Sequence, residues 1–301
     1  MSAIREIVVQ VNDEMLSSPA VELAGSLAAT LGARLSAVLV AAPVTAGLGL
    51  SAETASLAHE LQQAQRANLL GIGERLVAGA KQRHGLTLEL RVADGDPVAA
   101  LQAHTRTADL LITLQRNPAL AGGLSAGQSA RLLVGSACPV LTVPYVGLAA
   151  AGATDSAAQP LRRALVAWSD SRESARALRD SLPLLSRASH VEVVTFATVE
   201  SGELGPSRAA LDRVVNYLGS HGIEAMPTVL SQANPSMGER MLRGGLSDLA
   251  AAEALLSHAA DISADFIVMG GYGHSRLWEL VLGGVTRTML ESMTVPVLMS
   301  N

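Results

Sequence analysis

The chain has 301 residues, 49% hydrophobic and 16% charged, a net charge of −5 and an aromatic content of only 2%. That length leads to an expectation of two domains, with cores built from Ala, Val, Leu and Ile. Its 22 basic and 27 acidic residues are spread without a Lys or Arg run, which argues against a nucleic-acid partner.

The start, MSAIREIVVQVND, is too short and too charged in its apolar run for a secretory signal, and its alternation predicts a strand near 5–11. A helix follows near 17–31. LSAVLVAAPVTAGLGLSA at 35–52 is uncharged, but Pro43, Gly47 and Gly49 break it, so it reads as a strand near 34–42 and a loop rather than a membrane span. Helices are then predicted near 52–83, 97–106 and 126–136, with strands near 87–92, 108–114 and 138–144. DGDP at 94–97 reads as a turn and a helix start, with Pro97 in the first turn. Cys138 is the single cysteine; it excludes an intrachain disulfide, sits in the apolar run CPVLTV and reads as a buried, inert thiol compatible with the cytoplasm.

GLAAAGATDSAAQP at 147–160 is small, polar and of low complexity, as linkers are. Beyond it, strands are predicted near 162–168, 190–197, 223–231, 264–270 and 295–300, with helices near 172–187, 205–220, 249–262 and 284–292. His221 and Gly222 look like a helix end, and 232–248 like a flexible loop. The seven histidines, His59, His84, His104, His190, His221, His258 and His274, have no paired metal-ligand spacing.

The second half repeats the first at an offset of about 156 residues. IREIVVQVND at 4–13 matches LRRALVAWSD at 161–170, ARLSAVLV at 33–40 matches SHVEVVTF at 189–196, ADLLITL at 108–114 matches ADFIVMG at 264–270, and CPVLTV at 138–143 matches VPVLMS at 295–300. Strands alternating with helices predict two α/β domains, each a doubly wound five-stranded parallel sheet. Such sheets bind ligands at the carboxyl ends of their strands, where the winding reverses.

The fourth strand of the second half ends in MGGYGHSRLWELVLGGVT at 269–286. Glycine costs a helix about 1 kcal/mol relative to alanine, so Gly270, Gly271 and Gly273, then Gly283 and Gly284, predict close approach of backbone to a ligand. The N–H groups of a helix starting near Gly284 suit an anion. An ordinary surface loop is the alternative reading. His274, Ser275 and Arg276 are either phosphate neighbours or a solvated loop. No GxxxxGK[ST] sequence supports a P-loop mechanism.

These residues resemble the universal stress protein family in its tandem two-domain form. Gly270, Gly273 and Gly283 fit the spacing Gly, two residues, Gly, nine residues, Gly of its nucleotide-binding members. Gly284 then stands where the family has Ser or Thr. The resemblance covers essentially the whole chain. It implies strand order 3-2-1-4-5 and halves paired through their last strands as an intramolecular pseudo-dimer, with a homodimer also open. It further implies an ATP site, with AMP or ADP as alternatives and magnesium as a companion, formed by Gly270, Gly273, Gly283, Gly284 and Val285, with adenine near Ala197 and Met269. The family's nucleoside-binding acid falls at Ser169, with Asp170 one place later.

In the first half Leu114, Asn117 and Gln128 replace Gly270, Gly273 and Gly284, and only Gly127 survives. The expectation is therefore a degenerate domain over 1–146, a linker over 147–160 and a nucleotide-binding domain over 161–301. The expected role is a cytoplasmic stress-response protein that uses ATP occupancy as a signal. The alternatives are a nucleotide-free interaction module and a slow ATP-hydrolysing or adenylyl-transfer enzyme, although no catalytic residue, general base or metal set stands out.

Overall fold

The computed structural model describes residues 3–12, 14–41, 52–117, 123–145, 160–198, 204–232, 246–271 and 284–301. The chain divides into two compact units, Ile4–Cys138 and one that begins at Pro139 and runs to Asn301. Each unit follows from the alternation of apolar, β-branched runs with helical segments.

In the N-terminal unit the elements are β1 (Glu6–Val11), α1 (Glu14–Leu31), β2 (Arg34–Ala41), α2 (Ala52–His84), β3 (Leu88–Asp94), α3 (Pro97–Thr105), β4 (Leu110–Leu114) and α4 (Ala126–Gly135). The strands lie in the order β3-β2-β1-β4, all parallel. Every residue of β1 and β4 is buried, which is what the unbroken apolar runs IVV and LLI require of a sheet covered on both faces.

The second unit contains β5 (Val140–Val143), β6 (Arg163–Ala167), α5 (Arg172–Leu185), β7 (His190–Thr198), α6 (Leu204–Ser220), β8 (Met226–Gln232), α7 (Leu246–Asp261), β9 (Phe266–Gly270), α8 (Gly284–Ser292) and β10 (Val297–Ser300). Its parallel order is β8-β7-β6-β9-β10, which is 3-2-1-4-5 in the numbering of the repeat. Against β10 runs β5, antiparallel, with Val297 beside Thr142 and Met299 beside Val140. The last strands of the two repeats thus pair as expected. The fifth strand of the first repeat belongs to the compact body of the second, so the compact units divide at Cys138 and Pro139 while the repeats divide in the 147–160 segment.

The matched Ala-Asp pairs have a shared structural task. Asp109 Oδ2 accepts the backbone N–H groups of Arg5 and Glu6 at 2.7 and 3.0 Å, and Asp265 Oδ2 accepts those of Arg162 and Arg163, both at 2.8 Å. One carboxylate per repeat therefore satisfies the donors that enter the central strand. Other local expectations also hold. Asp96 caps α3 through Ala99 N at 2.9 Å with Pro97 in the first turn, and Gly222 follows α6 with a φ of 74°. Cys138 is buried. Helix α1 begins at Glu14, three residues before the expected start, and carries Pro19 inside it.

Among the described residues each repeat has one buried glutamate, Glu6 and Glu192, and the two have different partners. In the first, Glu6 accepts the Ser36 hydroxyl at 2.8 Å and meets Arg34 at 2.9 Å and Arg91 at 3.4 Å. In the second, Glu192 on β7 has His258 Nε2 of α7 at 2.8 Å and His190 Nε2 at 3.8 Å. Burial pushes the Glu192 carboxyl up, but hydrogen bonds from Thr228 and His258 and the proximity of His258 and His190 more than offset this, holding it below its ordinary 4.5.

A carboxyl with a lower pKa in the fold than in the unfolded chain stabilises the fold above the unfolded value. That contribution is lost as the pH falls through the lower, folded value. Urea unfolding from about pH 6 down to about pH 3 should therefore show falling stability, with His258→Ala flattening part of the slope. A variant profile parallel to that of the parent would remove His258 from this account.

Candidate nucleotide site

The winding of the second repeat reverses between β6 and β9, and the expected site residues lie at the carboxyl ends of these strands and of β7. Met269 is 6% exposed, in register with Ala167 on β6 and Met299 on β10. Ala197, 3% exposed, sits near the end of β7. Gly270 ends β9, and the Gly271 N–H donates to Ser300 O at 2.8 Å. Gly284 and Val285 open α8 as half-buried residues, with Thr286 buried behind them. Gly273, Gly283, His274, Ser275 and Arg276 lie outside the described residues.

The structure gives Gly270 a packing role. A Cβ built there would stand 2.5 Å from Ser174 N and 2.7 Å from the Glu173 carbonyl carbon, both backbone atoms in the first turn of α5. The glycine lets α5 start directly against the end of β9, independently of any ligand. At the matching position of the first repeat, Leu114 is buried at the end of β4.

Ser169 and Asp170 also take up local roles. The Ser169 hydroxyl donates to Ser171 Oγ at 3.2 Å, and Ser171 caps α5 by accepting Ser174 N at 3.1 Å while its own N–H donates to Ser174 Oγ. Asp170 has a φ of 53°, a left-handed conformation that Asp tolerates better than most residues. Its exposed carboxylate is 3.6 Å from Arg213 on α6.

Helix α4, the counterpart of α8 in the first repeat, is closed at its start by its own side chains. Ser125 Oγ accepts Gln128 N at 3.3 Å, while Gln128 Oε1 accepts Ser125 N at 2.9 Å, a complete capping box. Gln128 is the residue that the repeat alignment matches to Gly284. Its side chain occupies a donor, the Ser125 N–H, that an anion would need. The S-x-x-Q signature at 125–128 was the available signal.

Among the described residues, no group of three or more His, Cys, Asp or Glu could hold a metal ion, and no helix is long and apolar enough to cross a membrane.

Comparison with known proteins agrees with this architecture. A universal stress protein from Archaeoglobus fulgidus is matched with a TM-score of 0.66 at 17% identity, covering 98% of this chain and 98% of its own. A functionally unknown protein from Pseudomonas aeruginosa is matched with a TM-score of 0.57 at 15% identity, covering 99% and 92%. A universal stress protein in complex with cAMP is matched at 26% identity with a TM-score of 0.34, over 48% of this chain and 99% of its own. No curated protein matches the sequence. The sequence model of the universal stress protein family matches residues 3–144 and again 160–301. With both repeats matched, the chain belongs to the universal stress protein family, in its tandem form.

Proposed function

We propose that the C-terminal repeat, 161–301, binds an adenine nucleotide, ATP foremost with AMP or ADP as alternatives, and magnesium accompanying the phosphates. The N-terminal repeat, 1–146, is its nucleotide-free partner, and 147–160 is the linker. The observation that carries this reading is the contrast between two matched helix starts. In α4 the Ser125–Gln128 box takes up first-turn donors, whereas α8 opens with Gly284, which brings no side chain to the matching position. A helix start at the carboxyl end of such a sheet suits a phosphate, since its N–H groups and the positive end of its dipole face the anion.

Gly273, Gly283, Gly284 and Val285 are the residues assigned to the phosphates. Ala197 and Met269 are assigned to the base, and Ser169 with Asp170 to the ribose edge. Occupancy then acts as a signal in a cytoplasmic stress response. Calorimetric titration of the whole chain with ATP is expected to give a stoichiometry near one. A value near two would overturn the asymmetry between repeats. No binding at all would favour a nucleotide-free interaction module, a reading that the engagement of Asp170 with Arg213 supports.

A further inference from the structure

The repeat alignment sets Glu6 against Arg163 and Ser36 against Glu192, so the buried glutamate stands on the first strand of one repeat and on the second strand of the other. Its partners change with it. Glu6 is held by Arg34 and Arg91, both on strands and both of a residue type that stays charged throughout the working pH range. Glu192 has one histidine on each oxygen: His258 Nε2 lies 2.8 Å from Oε1, and His190 Nε2 lies 3.8 Å from Oε2. Because His258 is on α7, the carboxylate of the second repeat joins a strand to a helix, whereas that of the first joins strand to strand. His190 and Glu192 begin β7, at the end of the strand remote from Ala197 and the candidate nucleotide site.

Glu192 is 5% exposed. Burial pushes its carboxyl up, but the Thr228 and His258 hydrogen bonds and the two histidines outweigh this, so it is ionised well into the acid range. Histidine is the residue type whose charge changes between about pH 5 and pH 8. At the alkaline end of that range the contact between β7 and α7 is a hydrogen bond from a neutral imidazole to a buried anion. At the acid end it is a full ion pair, and a buried anion gains most from a cation in direct contact.

The surrounding charges are engaged elsewhere. Thr228 donates to Glu192 from β8, and Glu224 ahead of that strand is exposed. On β6, Arg163 is beside His190 in register, but its Nε donates to Ile262 O at 3.0 Å. Arg208 and Asp212 of α6 pair with each other, Arg213 faces Asp170, and His221 packs edge-on against Tyr217. Arg287 and Glu291 of α8 pair with each other, and Glu253 and Asp261 of α7 are exposed. In the first repeat, burial and then Arg91 hold His104 of α3 below its ordinary 6.5, so mild acid gives that helix no matching tie to its sheet.

We infer that α7 is an acid-responsive element: His258, charged at mildly acidic pH, clamps the helix to β7 through Glu192, and the clamp slackens as the pH rises. Helix α8, which packs against α7, is steadied with it. The sign follows from proton linkage. An ion pair formed only in the fold favours the fold where both members are charged, above the carboxylate range and below the histidine range, and this contribution is lost as the pH rises through the latter.

Amide hydrogen exchange of the full chain at about pH 5.5 and about pH 7.5, expressed as protection factors so that the intrinsic rate cancels, tests this. The α7 amides are expected to be about tenfold better protected at the lower pH, the equivalent of one unit of proton linkage, with α3 unchanged. His258→Gln keeps a hydrogen-bonding side chain without a titrating ring, and Glu192→Gln removes the anion. Each should bring the α7 difference to within about twofold. Equal α7 protection at the two pH values in the parent would overturn the inference. So would an equal gain in α3, or a pH dependence of α7 that survives in both variants. The experiment contains no nucleotide, so its outcome is independent of the reading of the nucleotide site.

Discussion

Gly270→Ala is expected to destabilise the C-terminal unit by about 1–3 kcal/mol, the usual consequence of forcing extra volume into a packed interior. The added methyl would meet Ser174 N at 2.5 Å and the Glu173 carbonyl carbon at 2.7 Å. Neither atom can rotate aside as the tip of a long side chain would. Relief requires the first turn of α5 to move, and that turn holds the reciprocal Ser171–Ser174 cap. The φ of Gly270 is not in the left-handed region, so the effect isolates contact from backbone strain. Urea unfolding of the ligand-free protein measures it. Unchanged stability would mean that α5 shifts freely against β9 and that glycine at 270 has some other cause.

Gly273→Val is expected to do the opposite, lowering ATP affinity by at least about tenfold, or roughly 1.4 kcal/mol, while leaving the circular dichroism of the parent. The residue belongs to the glycine spacing Gly270, Gly273, Gly283 on which the expectation of a nucleotide site rests. A β-branched side chain both fills the space beside the backbone and resists positive φ, so N–H groups could no longer close on a phosphate. ATP binding as tight as in the parent would make the glycine an ordinary turn residue. Together the two variants separate a glycine that serves the fold from one assigned to the ligand, although both lie in one short motif.

Most of the architecture was legible because it rests on local pattern. Apolar runs such as IVV in β1 and FIV in β9 alternate with amphipathic segments, and the same order appears twice, so each repeat supports the reading of the other. The Asp96-Pro97 start of α3 and the His221-Gly222 end of α6 were legible for the same reason: capping chemistry lies within a few residues. What escaped depends on partners far apart in sequence. Gly270 is explained by residues 173 and 174, about a hundred positions earlier, and no spacing rule reports that contact. Glu192 and His258 meet across 66 positions, one on a strand and one on a helix, and neither looked distinctive in the sequence. Asp170 stands one place after the position of the family's nucleoside-binding acid, and only the placement of α6 brings Arg213 beside it. The role of Gln128 was hidden in another way: aligning it with a glycine drew attention to its bulk, whereas its amide closing α4 follows from Ser125 three residues before it.

The antiparallel pairing of β5 with β10 bears on how the protein is made. Thr142 is synthesised long before Val297, the residue that lies beside it. Until β10 emerges, the backbone groups of β5 that will face it have no partner, and an apolar strand left with an open side readily pairs with a strand from another chain. Closure also joins distant parts of the chain, a step that comes late because the entropy of the intervening loop must be overcome first. The interval of greatest exposure to misassembly therefore falls while the second repeat is being translated, after most of the first has been able to fold.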